Sequence, residues 1–223
     1  DRLATIGFLA AGVAHELNEP LGNILGFAEL AKKCPGLPDA AQRDLTKIET
    51  ASLHAREIIK KLLVFARQMP MEKTAVDINQ VVREGLFFLE ARCLKAGIDV
   101  EYALDTALPL VFADAAQINQ VLVNLVVNAL QAMPDGGALR VGAQVGDRRV
   151  CLFVEDTGSG MSPDVQQQAF VPFFTTKDVG QGTGLGLPVA HGIVASHGGT
   201  IEIQSEMGRG TRIEIWLPVS PAP

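Results

Sequence analysis

Arg149-Val-Cys-Leu-Phe-Val-Glu-Asp156-Thr157-Gly158-Ser159-Gly160 is the stretch on which the fold turns. An unbroken apolar run reads as a strand, and it ends on a carboxylate followed by glycines. An aspartate there has two readings. It caps a turn, or it accepts a hydrogen bond from the exocyclic amine of adenine while the glycines let the base approach the backbone.

Outward from this stretch, Leu139–Val145 pairs with it as a hairpin around Gly146-Asp147. The preceding segment is a helix capped by Asp114 and ending near Met133, before Pro134-Asp135-Gly136-Gly137. Gln120, Asn124 and Asn128 recur every four residues and stack on one face, while Ile118, Leu122, Leu125 and Ala129 lie around the other side. Such a row of amides is a solvated face or a ligand face. Neutral amides donate and accept at once, which suits a hydrated Mg²⁺ among phosphate oxygens. Further upstream, Asp77 caps a helix running to about Arg92, followed by strands at Ile98–Leu104 and Leu108–Ala113. Downstream comes an irregular stretch, about 157–183, and a helix over Leu185–His197 that stops at Gly198-Gly199. Strands Thr200–Ser205 and Thr211–Leu217 close the domain around Gly208-Arg209-Gly210. Gly180-Gln-Gly182-Thr183-Gly184-Leu185-Gly186-Leu opens the last helix. Free N–H groups and the helix dipole converge at such a loop, a ready phosphate site. It lacks the Gly-Lys-Ser/Thr ending of a P-loop.

The first part of the chain changes period. Residues 2–31 carry apolar or small residues at Leu3, Ile6, Ala10, Val13, Leu17, Leu21, Ile24 and Ala28, and residues 40–68 at Leu45, Ile48, Ser52, Ala55, Ile59, Leu62 and Ala66. Cys34-Pro35-Gly36-Leu37-Pro38-Asp39 separates the two helices. One helical hairpin has too little core to stand alone, whereas two make a four-helix bundle, so a homodimer is the economical reading. His15 lies two residues from both Val13 and Leu17, about 200° round the helix from that stripe, and so faces solvent. An isolated exposed histidine is ordinarily just a surface residue. Here Glu16 follows it, and a carboxylate can hold the Nδ1 proton and leave Nε2 as nucleophile. Pro20 removes a helix hydrogen bond at a cost of about 3 kcal/mol, for bending or for packing.

His15-Glu16-Leu17-Asn18-Glu19-Pro20-Leu21, preceded by Leu9-Ala10-Ala11-Gly12-Val13-Ala14, resembles the phosphoacceptor box of sensor histidine kinases. Asn124…Asn128, Asp156-x-Gly158-x-Gly160 and Gly182-x-Gly184-x-Gly186 resemble, in this order, the ATP-binding domain shared by histidine kinases, DNA gyrase B and heat-shock chaperone ATPases. Phe170-Val-Pro-Phe173-Phe174-Thr-Thr-Lys177 is similar to the phenylalanine box of the nitrogen-regulation-like subgroup, and His197-Gly198-Gly199 also matches. The resemblance implies two domains. An all-α hairpin forming a dimeric four-helix bundle (residues 1–68) precedes a linker (69–74) and an α+β sandwich that binds ATP (75–219). It implies that His15 is phosphorylated, that Glu16 is its general base, that Asn128 holds Mg²⁺ and that Asp156 reads adenine. Asn124, Gly158, Gly160, Gly182, Thr183, Gly184, Leu185 and Gly186 line the nucleotide, with 161–183 as a mobile lid. Lys177 is placed at the phosphates or in solvent, and Phe170, Phe173 and Phe174 as lid anchors. The phosphoryl group would pass to an aspartate of a response-regulator receiver domain. One position departs from the family: Glu19 stands where Asn or Thr is usual.

Composition fits this reading. Of 223 residues, 48% are hydrophobic and 20% charged, as in a globular chain. A net charge of −6 without a Lys/Arg cluster argues against nucleic acid. Cys34, Cys93 and Cys151 are scattered and odd in number, which points to a reducing, cytoplasmic compartment. No run is long enough to span a membrane. The chain starts at Asp1 within a helical pattern, so an upstream sensor module, with room for a membrane tether, is expected outside it. Two rivals remain. A conformational ATPase of the gyrase or chaperone type needs a water-activating carboxylate four residues before Asn128, where Asn124 stands. A dimeric scaffold with a dead kinase would not need intact glycine boxes.

Overall fold

The structure, a computed structural model, describes residues 2–66, 71–177 and 182–219; the side chains of 2–16 and of several positions between 54 and 66 lie outside that description. The chain divides into two compact units, Asp1–Pro70 with Lys177–Leu185, and Met71–Thr176 with Gly186–Pro223.

The first unit is the helical hairpin α1 (Arg2–Lys32) and α2 (Asp39–Ala66). Lys33 and Cys34 N–H groups close the last turn of α1, and Gly36 turns the chain at φ +78°. Ala28, Ser52 and Ile59 are buried, and Lys32 Nζ meets Glu49 Oε2 at 2.7 Å. The predicted stripe is only half used. Leu17, Ile24 and Ile48 are exposed, as are Phe27, Leu30 and Leu53. Leu17, Pro20, Leu21, Ile24, Ala55 and Ile59 line an apolar cleft of about 380 Å³. Two helices offer each other one facing seam, and a stripe wider than that seam stays open.

The second unit is a sheet with helices on one face. Its strands are β1 (Thr74–Val76), β2 (Ile98–Leu104), β3 (Val111–Ala113), β4 (Gly137–Gly146), β5 (Arg149–Asp156), β6 (Thr200–Glu206) and β7 (Gly210–Pro218). The helices are α3 (Ile78–Lys95), α4 (Ala115–Ala132), the short α5 (Pro163–Gln168) and α6 (Gly186–Ser196). The main sheet runs β2-β4-β5-β7-β6, with β2 parallel to β4 and the other neighbours antiparallel. Leu139, Val141, Ala143, Val150, Leu152, Ile215 and Leu217 meet Val82, Leu86, Ile118, Leu122 and Leu125 in a core without exposure above 1%. Strand β5 is apolar on both faces because its outer face is also covered. Arg212 lies 3.8 Å over the Phe153 ring and Arg140 lies 5.7 Å from it, and Gly142 leaves room for that ring.

Three sequence expectations change here. The strand expected over Leu108–Ala113 is only Val111–Ala113; its partner β1, unforeseen because three residues carry no period, pairs Thr74 with Ala113. The irregular stretch contains α5, capped by Ser162 with Pro163 in its first turn. Helix α3 runs on to Lys95, three residues past Arg92, before Gly97 at φ +68°. Of the expected linker, 69–74, residues 69 and 70 lie outside the described residues.

Candidate active site

Helix α4 is the spine of the site. Asp114 starts it, its Oδ1 accepting from the N–H groups of Ala116 and Gln117 at 3.0 and 3.2 Å. Ile118, Leu122, Leu125 and Ala129 are buried as predicted, which turns Gln120, Asn124 and Asn128 outward as a half-buried row. Asn124 Nδ2 donates to the Gly186 carbonyl at 3.3 Å. A methyl group on Gly186 would sit 3.6 Å from Asn128 Nδ2, so the first residue of α6 lies against both amides. One turn further along the same face, the Ala132 carbonyl accepts from Ser159 N–H at 3.0 Å. A methyl group on Gly158 would lie 2.6 Å from that carbonyl. The glycine is therefore required by close helix–loop approach, and it seats the Asp156 loop on the end of α4.

Asp156 is 7% exposed. Its Oδ1 accepts from Gly158 N–H at 2.9 Å. Burial pushes its carboxyl above the usual carboxylate range, while the backbone N–H groups of Gly158 and Thr211 pull it back. The hydroxyl of Thr157 accepts from Ala138 N–H at 3.0 Å and pins the loop to β4.

A second layer, which sequence reasoning missed, holds the loop from the other side. Gly208 N–H donates to the Ser159 carbonyl at 2.8 Å, and Met161 N–H donates to Ser205 Oγ at 2.8 Å. Ser205 Oγ donates to the Gly210 carbonyl and meets Thr211 Oγ1 at 2.8 Å. Gln166 Nε2 donates to the Ser205 and Met161 carbonyls. Gly160 and Gly210 have φ of +64° and +102°, and a side chain on them would collide with the Glu206 and Asp156 carbonyls respectively. The one available signal was the second glycine of Gly208-Arg209-Gly210, which a hairpin turn alone does not need.

The other expected site residues fall as follows. Gly182, Thr183, Gly184 and Leu185 group with the helical unit; Gly184 has φ +62° and Leu185 is 2% exposed. Burial pushes the Lys177 ammonium below its usual value. Phe170 packs against the His191 ring at 5.1 Å between centroids, and Phe174 is half-buried. Phe173 is not an anchor. It is exposed, at φ +68°, a conformation that turns the chain and sends its ring outward. His15 and Glu16 lie in α1, with their side chains outside the described residues; Glu19 is exposed.

No group of three His, Cys, Asp or Glu side chains among the described residues is placed to hold a metal. The donor set beside Gly186 is neutral amide oxygen, which suits a hard cation that keeps water and phosphate ligands.

A helix-backed mixed sheet with an amide-lined helix face, behind a helical hairpin, is the class these features define. Residues 113–221 match the histidine kinase-, DNA gyrase B- and HSP90-like ATPases, and residues 5–69 match the histidine kinase A phospho-acceptor domain. The chain belongs to the sensor histidine kinases. Sensor histidine kinase ZraS of Escherichia coli (strain K12) is 35% identical over 221 residues, covering 99% of this chain and 47% of ZraS. The solved catalytic domain of histidine kinase ThkA is 33% identical, with 67% of this chain and 97% of that one covered and a TM-score of 0.61. Full-length ShkA in complex with AMPPNP has a TM-score of 0.75 at 27% identity, covering 96% of this chain and 46% of that one. The chain spans about half the length of the ZraS proteins it matches. No helix among the described residues is long and apolar enough to cross a membrane.

Proposed function

We propose that this chain is the catalytic core of an ATP-dependent protein-histidine autokinase that phosphorylates His15 and hands the phosphoryl group to an aspartate of a response-regulator receiver domain. The observation that carries the reading is the single face of α4, bordered at successive turns by the start of α6 and by the Asp156 loop. Asp156 would accept from the adenine amine, with Gly158 and Gly160 leaving room for the base. The loop through Gly182, Thr183, Gly184, Leu185 and Gly186 would offer N–H groups to the phosphates, with Lys177 as a cation near them. Asn128, beside Asn124, would hold Mg²⁺, which when bound neutralises triphosphate charge. Glu16 would hold the His15 Nδ1 proton, so that the Nε2 lone pair forms the N–P bond as the bond to the ADP oxygen breaks; Glu16 then receives the Nδ1 proton. Asn124, where a hydrolytic ATPase of this fold class would carry its carboxylate, disfavours water as acceptor.

Two relatives support the substrates: ShkA was solved with AMPPNP, and ThkA with the response regulator TrrA, the latter at a TM-score of 0.71 and 28% identity. The open apolar face of the hairpin supports a homodimer, and the phenylalanine box supports a nitrogen-regulation-like kinase. Placement in the cytoplasm, downstream of a sensor module, follows from the same reading. The test is transfer of label from γ-labelled ATP. The wild type should become labelled, and His15→Ala should lose all label while its ATP affinity stays within about twofold, since a twofold change is only about 0.4 kcal/mol. Label persisting in His15→Ala would overturn the assignment.

A further inference from the structure

His197 lies far from the phosphate end of α6, yet it is 3% exposed and both ring nitrogens are committed. Nε2 accepts from Asp114 N–H at 3.0 Å. The proton is therefore on Nδ1, which donates to the Ile193 carbonyl at 2.8 Å. Asp114 is the cap of α4, and its second oxygen, Oδ2, accepts from Glu72 N–H at 3.2 Å. Lys73 Nζ donates to the Ser196 carbonyl at 3.0 Å, at the C-terminal end of α6, where a cation also meets the helix dipole. Residues 72–73, through which the chain enters this unit, are thus bonded to the near ends of both α4 and α6.

The other end of α6 is also joined to α4, at mid-helix, by Asn124 Nδ2 to the Gly186 carbonyl. From 114 to 124 along α4 is about 15 Å, and from 186 to 197 along α6 about 16 Å, at 1.5 Å per residue. Two helices tied at two points with matched spans between them have a single axial register. We propose that the Asp114–His197 couple is a register latch. His197 is a positioning residue that ties the entry segment at 72–73 to α6 and so sets where Gly186 stands against Asn124 and Asn128. Displacement of residues 72–73 would slide or tilt α6 and misplace its first turn, without any change in the residues that touch nucleotide. This rests on the nucleotide reading of the α4 face given above.

The test uses the full chain without nucleotide, following amide exchange, and then ATP affinity. His197→Leu removes both bonds, His197→Gln keeps an acceptor for Asp114 N–H, and Lys73→Met breaks only the exposed tie. In His197→Leu the amides of Ala190 and His191, which bond the first-turn carbonyls of α6, should exchange at least about tenfold faster and ATP affinity should fall about tenfold. His197→Gln should stay within about threefold of wild type, and Lys73→Met should accelerate the same amides about threefold. Protection in β4 and β5 should not change. Unaltered Ala190 and His191 in Lys73→Met and His197→Leu, equal effects of Gln and Leu, or acceleration spread evenly into β4 and β5 would each overturn the latch. If His197→Leu does not fold, His197→Gln and Lys73→Met decide. If the wild type binds no ATP, the kinase reading falls, and the exchange pattern still judges the latch.

Discussion

The two units solve the problem of folding in opposite ways. The α/β unit closes on itself: its core side chains reach zero exposure, Phe153 on the outer face of β5 is covered by arginines, and its site loop is held from two sides. The hairpin leaves much of its apolar stripe open, with Phe27 at 72% and Leu30 at 61% exposure. A closed unit tolerates no extra atom at its contacts, and an open one is finished by something else. In the proposed reading that something is a second copy of the chain.

The largest effect expected on this contrast is at Asp156. Asp156→Asn removes the charged acceptor for the adenine amine and should weaken ATP binding by about 1.5–3 kcal/mol, measured by titration calorimetry. The same change should not weaken the empty fold. Burial raises the Asp156 carboxyl, so the folded state holds its proton more tightly than the unfolded chain. Stability contributed by that proton is full at pH values below the unfolded carboxyl's own range and is lost as pH rises through the raised one. At neutral pH the ionised carboxylate is therefore a liability of the fold, which Asn relieves. Asp156→Asn should have an unliganded Tm at neutral pH equal to or above that of wild type. ATP binding by the wild type should weaken as pH falls through the raised value. A lowered Tm with intact ATP affinity would reverse both roles.

Glycines sharpen the comparison further. In Gly210→Ala the new methyl collides with the Asp156 carbonyl at φ +102°, and destabilisation of about 2 kcal/mol or more is expected in thermal melts. On the hairpin, Gly22 and Gly26 have nothing within 4 Å of an added methyl. Judged from one chain, Gly22→Ala should therefore stabilise α1 by about 1 kcal/mol. A loss of stability that deepens on dilution would mean instead that a second copy packs against Gly22.

The sequence was legible where one residue type has one physical reason to be there. The caps Asp77 and Asp114, the strand Ile98–Leu104 and the buried set Ile118, Leu122, Leu125 and Ala129 are all as expected, because capping and period are local properties. Asn124, Gly186, Gly158 and Asp156 could be singled out, but not why they meet: that depends on α4 lying under two loops that are distant in sequence. Ser205, Thr211 and Gln166 were invisible because a hydroxyl or amide carries no period, and their value comes only from a turn folding back on the Asp156 loop. Phe173 failed for the converse reason. An aromatic residue in a motif resembles an anchor until its backbone is seen to turn outward.

The smallest expected effect falls on the open unit. Glu19 is exposed on α1, four residues and about one helical turn from His15, so the two positions share a face. The kinase resemblance puts a neutral Asn or Thr at this position, a side chain able to hold the water that would hydrolyse the regulator's aspartyl phosphate. A carboxylate there would stand near an incoming phosphoryl group that is itself anionic. Like charges a few ångströms apart repel by about 1 kcal/mol in water, which is a factor of about five in rate. The wild type should therefore be a weak phosphatase and a kinase-biased enzyme, and Glu19→Asn should dephosphorylate the phosphorylated regulator severalfold faster. The effect should shrink at high salt, where exposed charges are screened, and this separates repulsion from a change in shape. Asn18, half-buried and three residues from His15, borders the same face and is a second place to hold the water. Equal rates for wild type and Glu19→Asn would mean that the carboxylate points away from the reaction, or that Asn18 already serves it. A slower mutant would mean that Glu19 itself holds the water.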